Sequence, residues 1–379
     1  MPILRTFASP PKISDKKIGG PSEPSQGLFT WGNNAQGQLG LSNTTNYSSP
    51  KLVGNLTTWT AVSVSPSSGT QFCVGIRSDT TMWSWGNNGS GRLGLGNTTD
   101  RSSPVQITGT SWGEVTPGGQ FCAARKTTGT MWTWGRNQYG QLGTNNLSYY
   151  QTPTQVGVST SWSGVYGFYA TVIGRIGTAL WGWGRNYRGE LGLGNTTNYS
   201  SPKQIPGSWV SVVNNKGARS SAGAFKSGNA LYVWGRNVYG QLGLGNTTNT
   251  SSPQQLAGSW SSAAMANGHT LGIRTDGSLW AWGRNNSGQL GLGNTTYYSS
   301  PKQVGSGLNW AAVSCGPSGG SMAVKTDGTM WVWGAGGGQL GLGNTTTYSS
   351  PVQLGNKSNW FASNRWFSMG SDGAAGIRT

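Results

Sequence analysis

Apolar residues in this chain fall in short alternating stretches rather than long helical stripes. Met322-Ala323-Val324-Lys325 and Met330-Trp331-Val332-Trp333 are typical, the second rich in aromatic and β-branched side chains. Thr326-Asp327-Gly328-Thr329 separates them, and Asp-Gly between two such runs predicts a tight hairpin. Upstream lie a weaker extended stretch, Lys302-Gln303-Val304, and a better one, Trp310-Ala311-Ala312-Val313. No segment of ten or more residues carries a helical apolar period, so the pattern predicts strands throughout.

The same four-stretch pattern recurs. Trp-Gly marks it, at Trp31, Trp85, Trp134, Trp183, Trp234, Trp282 and Trp333, with steps of 54, 49, 49, 51, 48 and 51 residues. Each is followed by Leu-Gly, by Asn-Thr-Thr in most copies, and by a proline at 50, 104, 153, 202, 253, 301 or 351. A second tryptophan comes next, at Trp59, Trp112, Trp162, Trp209, Trp260, Trp310 or Trp360. Four strands per copy and seven copies predict an all-β chain, a seven-bladed β-propeller with four-stranded blades. Such a unit cannot bury its apolar faces alone and must pack on its neighbours.

The two ends fit together. Gly373–Thr379 reads as the third strand of a copy with no fourth, and Leu28-Phe29-Thr30-Trp31 as a fourth with no third. This predicts a C-terminal blade completed by an N-terminal strand, which removes the open edges. The propeller would then occupy residues 28–379. Residues 1–27 hold five prolines, Gly19-Gly20 and the cations Arg5, Lys12, Lys16 and Lys17, and read as an extended arm. The arm has no apolar run of the signal-peptide kind, and no stretch is long enough to span a membrane.

Charge changes the picture. Only 9% of residues are charged, yet 26 are basic and 9 acidic, a formal net charge of +17. Such a surface is drawn to anionic partners, although the bases are scattered and support nucleic acid only weakly. One set is in register: Arg77, Lys126, Arg175, Lys226, Arg274, Lys325 and Arg378, each of the first six lying six residues before the first aromatic of the fourth strand. These could form an anion-binding ring, or could lie on tryptophan faces or pair with turn aspartates. A second, incomplete set follows Trp-Gly: Arg136, Arg185, Arg236 and Arg284, with Asn33, Asn87 and Ala335 in the other copies. Tyr47, Tyr199, Tyr298 and Tyr348 could contact a glycan or pack the loops down.

Catalytic chemistry is not evident. Asp79, Asp276, Asp327 and Asp372 fall at hairpin turns, where aspartate bonds its own backbone. The remaining acids are isolated, His269 is the only histidine, and Cys73, Cys122 and Cys315 have no metal-site spacing. No phosphate-cradling Gly-rich loop opens a helix. The chain is expected to be non-enzymatic, with no cofactor and no metal.

Trp-Gly-Arg-Asn-x-x-Gly-Gln-Leu-Gly at Trp282 to Gly291 and Trp234 to Gly243, with Lys325-Thr326-Asp327-Gly328-Thr329-Met330-Trp331-Val332-Trp333-Gly334, resembles the repeat of the regulator of chromosome condensation family. The resemblance covers residues 28–379 and implies seven blades closed by an N-terminal strand. Its best-known member exchanges guanine nucleotides on a small GTPase, but the residues of this chain do not map that activity, so exchange is disfavoured. Near-identical repeats, low charge and the arm resemble propellers of this family in phage and virus particles. The expected function is therefore structural: a virion component decorating a capsid, tail or fibre, with other virion subunits held by residues 1–27. The alternative is a propeller that binds a host receptor, a glycan or an anionic partner. Outside a virion the chain is expected to be cytoplasmic.

Overall fold

A computed structural model of the chain describes residues 27–56, 58–67, 69–217, 220–356, 360, 367–369 and 373–378, with backbone alone for 214–217, 367–369 and 373–378. The described residues are all-β, apart from one short 3-10 turn at Ser227–Asn229. Among them the strands form six hydrogen-bonded sheets, five of four strands and one of eight.

A representative unit runs Trp310–Cys315, Gly320–Lys325, Met330–Gly334 and Tyr348–Gln353, each strand antiparallel to the next. Its middle hairpin turns at Asp327-Gly328. The Asp327 carboxylate accepts the Thr329 amide at 2.9 Å and the Thr329 hydroxyl at 2.7 Å, while Gly328 takes φ +78°. The last strand differs from the sequence expectation. It spans Tyr298–Gln303 and its equivalents rather than Lys302–Val304. Its Tyr-Ser-Ser-Pro segment has no apolar face to announce it. Backbone pairing to the Trp-Gly strand holds it instead, as in Gly283↔Tyr298.

The eight-stranded sheet arises from one long strand, Thr250–Ala266. Its first part pairs with Ala230–Gly235 and its second with His269–Arg274, so it serves two successive units. At the other extreme of the chain, Gly27–Gly32 lies between Tyr47–Leu52 and Gly373–Arg378. The latter ladder runs unbroken from Gly27↔Arg378 to Gly32↔Gly373.

Successive units meet along their inner strands. Trp59–Val64 touches Trp112–Pro117, which touches Gly164–Gly167, then Asn214–Gly217, Thr250–Ala266, Trp310–Cys315 and Phe367–Met369, and the last touches Trp59–Val64. Apolar clusters fill the spaces between the units, and the Trp-Gly indoles are fully buried in them.

Each of these indoles also bonds to the copy before it. The N–H of Trp85 donates to the Gln38 carbonyl at 3.0 Å, Trp134 to Arg92 at 2.9 Å and Trp183 to Gln141 at 3.1 Å. Trp234 donates to Glu190 at 2.9 Å, Trp282 to Gln241 at 3.0 Å and Trp333 to Gln289 at 2.9 Å. Trp31 donates to Gln339, in the last Trp-Gly copy, at 3.0 Å. This contact explains the Leu-Gly signature. The glycine two residues after the accepting position has positive φ, and a Cβ on Gly341 would sit 2.7 Å from the Trp31 indole nitrogen.

Candidate functional site

The end of each unit that carries the hairpin turns holds the registered cations. Arg77 is the cross-strand partner of Trp59, and its guanidinium lies 4.9 Å from that ring centroid and 3.8 Å from that of Trp83. Lys126 lies 5.0 and 4.9 Å from Trp112 and Trp132, and Lys226 lies 4.9 and 4.3 Å from Trp209 and Tyr232. Arg274 spans Trp260 and Trp280 at 5.2 and 3.9 Å, and Lys325 spans Trp310 and Trp331 at 5.0 and 4.5 Å. Arg175 donates to the Val210 carbonyl. For Arg378 only the backbone is described. Arg77, Lys126, Lys226, Arg274 and Lys325 are half-buried and each spans two aromatic rings, so ring contact engages the charge and packing occupies the stem.

The loops between the Trp-Gly strand and the next strand are held by amides. The Asn43, Asn97, Asn246 and Asn294 carbonyl oxygens accept the amides of Thr45, Thr99, Thr248 and Thr296 at 3.0 Å, a turn-forming role for Asn-Thr-Thr. Tyr199 and Tyr348 accept from Asn195 and Asn344 at 3.3 and 3.2 Å. Tyr47 lies 5.5 Å from Lys51, and Tyr298 lies 5.4 Å from Lys302. All four tyrosines are half-buried against their own copies.

At the opposite end, the arginines after Trp-Gly gather with tyrosines that the repeat does not require. Arg136 donates to the Gln120 carbonyl oxygen at 2.7 Å, and Arg185 meets Glu190 at 3.2 Å. Arg236 and Arg284, from adjacent copies, approach one ring, Tyr239, at 5.2 and 5.5 Å. Tyr139 contacts Tyr187 edge-on at 5.7 Å, and Tyr239 contacts Tyr297 at 6.1 Å. Arg92 extends the set by one copy. It replaces the glutamine of Gly-Gln-Leu-Gly, donates to the Thr70 carbonyl at 3.0 Å, and burial lowers its pKa to about 10. That substitution was the available signal for Arg92, and the registered basic positions do not include it. The arginines thus occupy five consecutive copies and leave the copies of Trp31 and Trp333 without one.

His269 lies beneath this face, at the wall of a shallow polar pocket with Asn267, Arg284, Gln289 and Ser318. It is buried and meets the Ser321 hydroxyl of the next copy at 3.0 Å. Burial, then the Arg284 charge, lowers its pKa from 6.5 to about 3, so it is neutral near pH 7. Burial pushes the thiols of Cys73, Cys122 and Cys315 well up, which makes them unreactive. Among the described residues no three His, Cys, Asp or Glu side chains cluster as a metal would need. Arg5, Lys12, Lys16 and Lys17 of the expected arm lie outside the described residues.

The repeat matches the family model described as "Regulator of chromosome condensation (RCC1) repeat" at residues 26–75, 79–125, 128–165, 179–214, 229–273 and 276–323. Over 80 residues the chain is 35% identical to the human E3 ubiquitin-protein ligase HERC2, a match spanning 21% of this chain and 2% of that protein. Over 81 residues it is 37% identical to human Protein RCC2, spanning 21% of this chain and 15% of that protein. Among solved structures, human WBSCR16 superposes with a TM-score of 0.81 at 18% identity, over 93% of this chain and 99% of that one. Prp20p from Saccharomyces cerevisiae, studied for its binding to Gsp1p and histones, superposes with a TM-score of 0.81 at 18% identity, over 93% and 91% of the two chains.

Proposed function

The chain belongs to the regulator of chromosome condensation (RCC1) repeat family, and on that premise we propose that it is a non-catalytic interaction protein, a closed seven-bladed β-propeller whose loop face recognises an anionic partner. Seven blades and closure are supported by the Gly27–Gly32 ladder to Gly373–Arg378, by the succession of inner strands, and by the Trp31–Gln339 bond. In this reading residues 28–379 form the propeller and residues 1–27 its arm. A non-catalytic role is supported by the fate of the reactive side chains. Asp79, Asp276 and Asp327 bond their own turns, Glu114 and Glu190 meet arginines, and His269 is buried and neutral.

The observation that carries the choice of face is the arginine arc. At the hairpin end Arg77, Lys126, Lys226, Arg274 and Lys325 are each held between two rings of their own copy, whereas at the loop end Arg136 and Arg284 bond side-chain amide oxygens and Arg236 and Arg284 share the single ring of Tyr239. A cationic arc with tyrosines suits an acidic surface. Nucleotide exchange on a small GTPase would be one form of such recognition. For this chain it rests on fold analogy, and Gsp1p binding is a property of Prp20p.

The test compares the two faces by the binding of labelled polyglutamate. A variant with Arg136, Arg185, Arg236 and Arg284 changed to Ser should lose binding and its salt dependence, while Lys126, Lys226 and Lys325 changed to Met should keep both. The reverse pattern would sink the assignment of the face. A second reading, a display role on a virus particle with residues 1–27 as the tether, is favoured by the uniformity of the repeats. Deleting residues 1–26, which leaves the paired Gly27 in place, should then leave a folded ring that no longer assembles.

A further inference from the structure

Resting on the loop-face reading, we propose that the boundary between the copies of Trp234 and Trp282 is a carboxylate-binding subsite that takes an acidic side chain of a protein partner. Two guanidiniums converge there. Arg236 and Arg284 both approach Tyr239, and neither meets a carboxylate; the ion pairs among the described residues are Arg125–Glu114 and Arg185–Glu190.

A buried amide beside them lacks an acceptor. Gln241 is 0% exposed, its side-chain amide nitrogen has no hydrogen-bond partner, and neither has the buried Nε of Arg236. The reason lies in the sequence of this copy. Gln38 gives its amide to Asn33 at 3.2 Å, and Gln289 gives its own to Asn286 at 3.3 Å. The positions equivalent to Asn33 and Asn286 are Arg236 and Val238, and neither side chain can accept. Gly283, the residue before Arg284, packs against the Gln241 backbone, where an added Cβ would be 3.1 Å from its Cα, and the Gln241 side-chain oxygen accepts the Tyr239 amide at 2.9 Å. Gly268 closes the other side, with its Cβ position 3.0 Å from Tyr239 and 3.2 Å from Arg284.

The site is therefore rich in donors and net positive, and what it lacks is an anionic acceptor. A carboxylate fits the guanidinium fork. Base stacking does not fit, because Tyr239 is already engaged by two guanidiniums and by the edge contact with Tyr297.

The test titrates the full chain against fluorescein-labelled oligoglutamate at low salt, followed by anisotropy, with oligoglutamine and oligothymidylate as further probes. Oligoglutamate should bind and oligoglutamine should not. Arg236→Ala and Arg284→Ala should each weaken binding about tenfold, and Arg284→Lys less, because the charge remains without the fork. Lys302→Ala, on an outer strand, should leave binding unchanged. Val238→Asn supplies an acceptor to Gln241. It should weaken binding while raising the melting temperature, an effect that charge removal or misfolding would not produce. If Arg136→Ser and Arg185→Ser weaken binding while Arg236→Ala and Arg284→Ala do not, the subsite is wrong and the loop face stands. If no loop-face variant matters, both fall. Tighter binding of oligothymidylate that depends on Arg236 and Arg284 would overturn the carboxylate assignment in favour of a phosphate polymer.

Discussion

Trp31 and Gln339 are 308 residues apart in the chain, yet the indole N–H of the first donates to the main-chain carbonyl of the second at 3.0 Å. The geometry repeats that of every internal copy, such as Trp282 with Gln241. The contact is thus a property of the repeat, and at this position it joins the first Trp-Gly copy to the last.

The bond can be weighed against an indole that has none. Trp31 and Trp59 are both buried, but the Trp59 N–H finds no acceptor. Changing either to Phe removes similar volume. Trp31→Phe also strands a buried carbonyl, so it should cost about 1 kcal/mol more than Trp59→Phe. Urea denaturation of the two variants measures the difference.

Glycine beside the indole should be more demanding than glycine in the open. Gly341 and Gly343 have nearly equal φ, +74° and +76°, but only Gly341 faces the Trp31 ring. Ala at Gly343 should cost about 1–2 kcal/mol, the strain of left-handed backbone. Ala at Gly341 adds overpacking of about 1–3 kcal/mol. Equal losses in thermal denaturation would contradict the contact.

His269 should make the fold acid-sensitive. Its pKa is about 3 in the folded state against an ordinary 6.5. Protons therefore bind the unfolded chain first as pH falls. The stability present above about pH 6.5 is lost between there and about pH 3, by at most about 1.4 kcal/mol per pH unit from this group. His269→Gln should flatten the dependence between pH 6.5 and 5. The three turn aspartates have lowered pKa values, held by hydrogen bonds from Thr81, Ser278 and Thr329, and act in the same direction but in a more acidic window.

The cations at the hairpin end should matter to stability in proportion to their ring contact. Arg274 is 3.9 Å from Trp280, whereas Lys302 is 5.4 Å from Tyr298. Arg274→Met should cost about 1–2 kcal/mol and Lys302→Met about 0.5 kcal/mol or less. Melting curves at low and high salt read both, and the Arg274 effect should persist at high salt because its charge is partly desolvated.

The strands with alternating apolar residues, the repeat period and the pairing of the ends could all be read from the chain, because burial imposes those patterns. The Tyr-Ser-Ser-Pro strands could not be bounded, since backbone pairing rather than side-chain burial fixes them. The long strand Thr250–Ala266 was equally hidden: Ala257-Gly258-Ser259 resembles any connecting turn, and its continuity depends on packing with both neighbours. For the site, the sequence located the registered cations but left open whether they serve a ligand or the tryptophans. Arg92 and the Tyr239 convergence depend on departures in one or two copies, where a repeat-based alignment is least informative.

The strand Gly27–Gly32 lies between two neighbours running antiparallel to it, with an unbroken ladder on the Gly373–Arg378 side. A pull along its axis therefore loads both ladders in shear, so their bonds must break together rather than peel one after another. A tether joined at that strand would pass force into both neighbouring strands at once, and the strand would behave mechanically as a clasp.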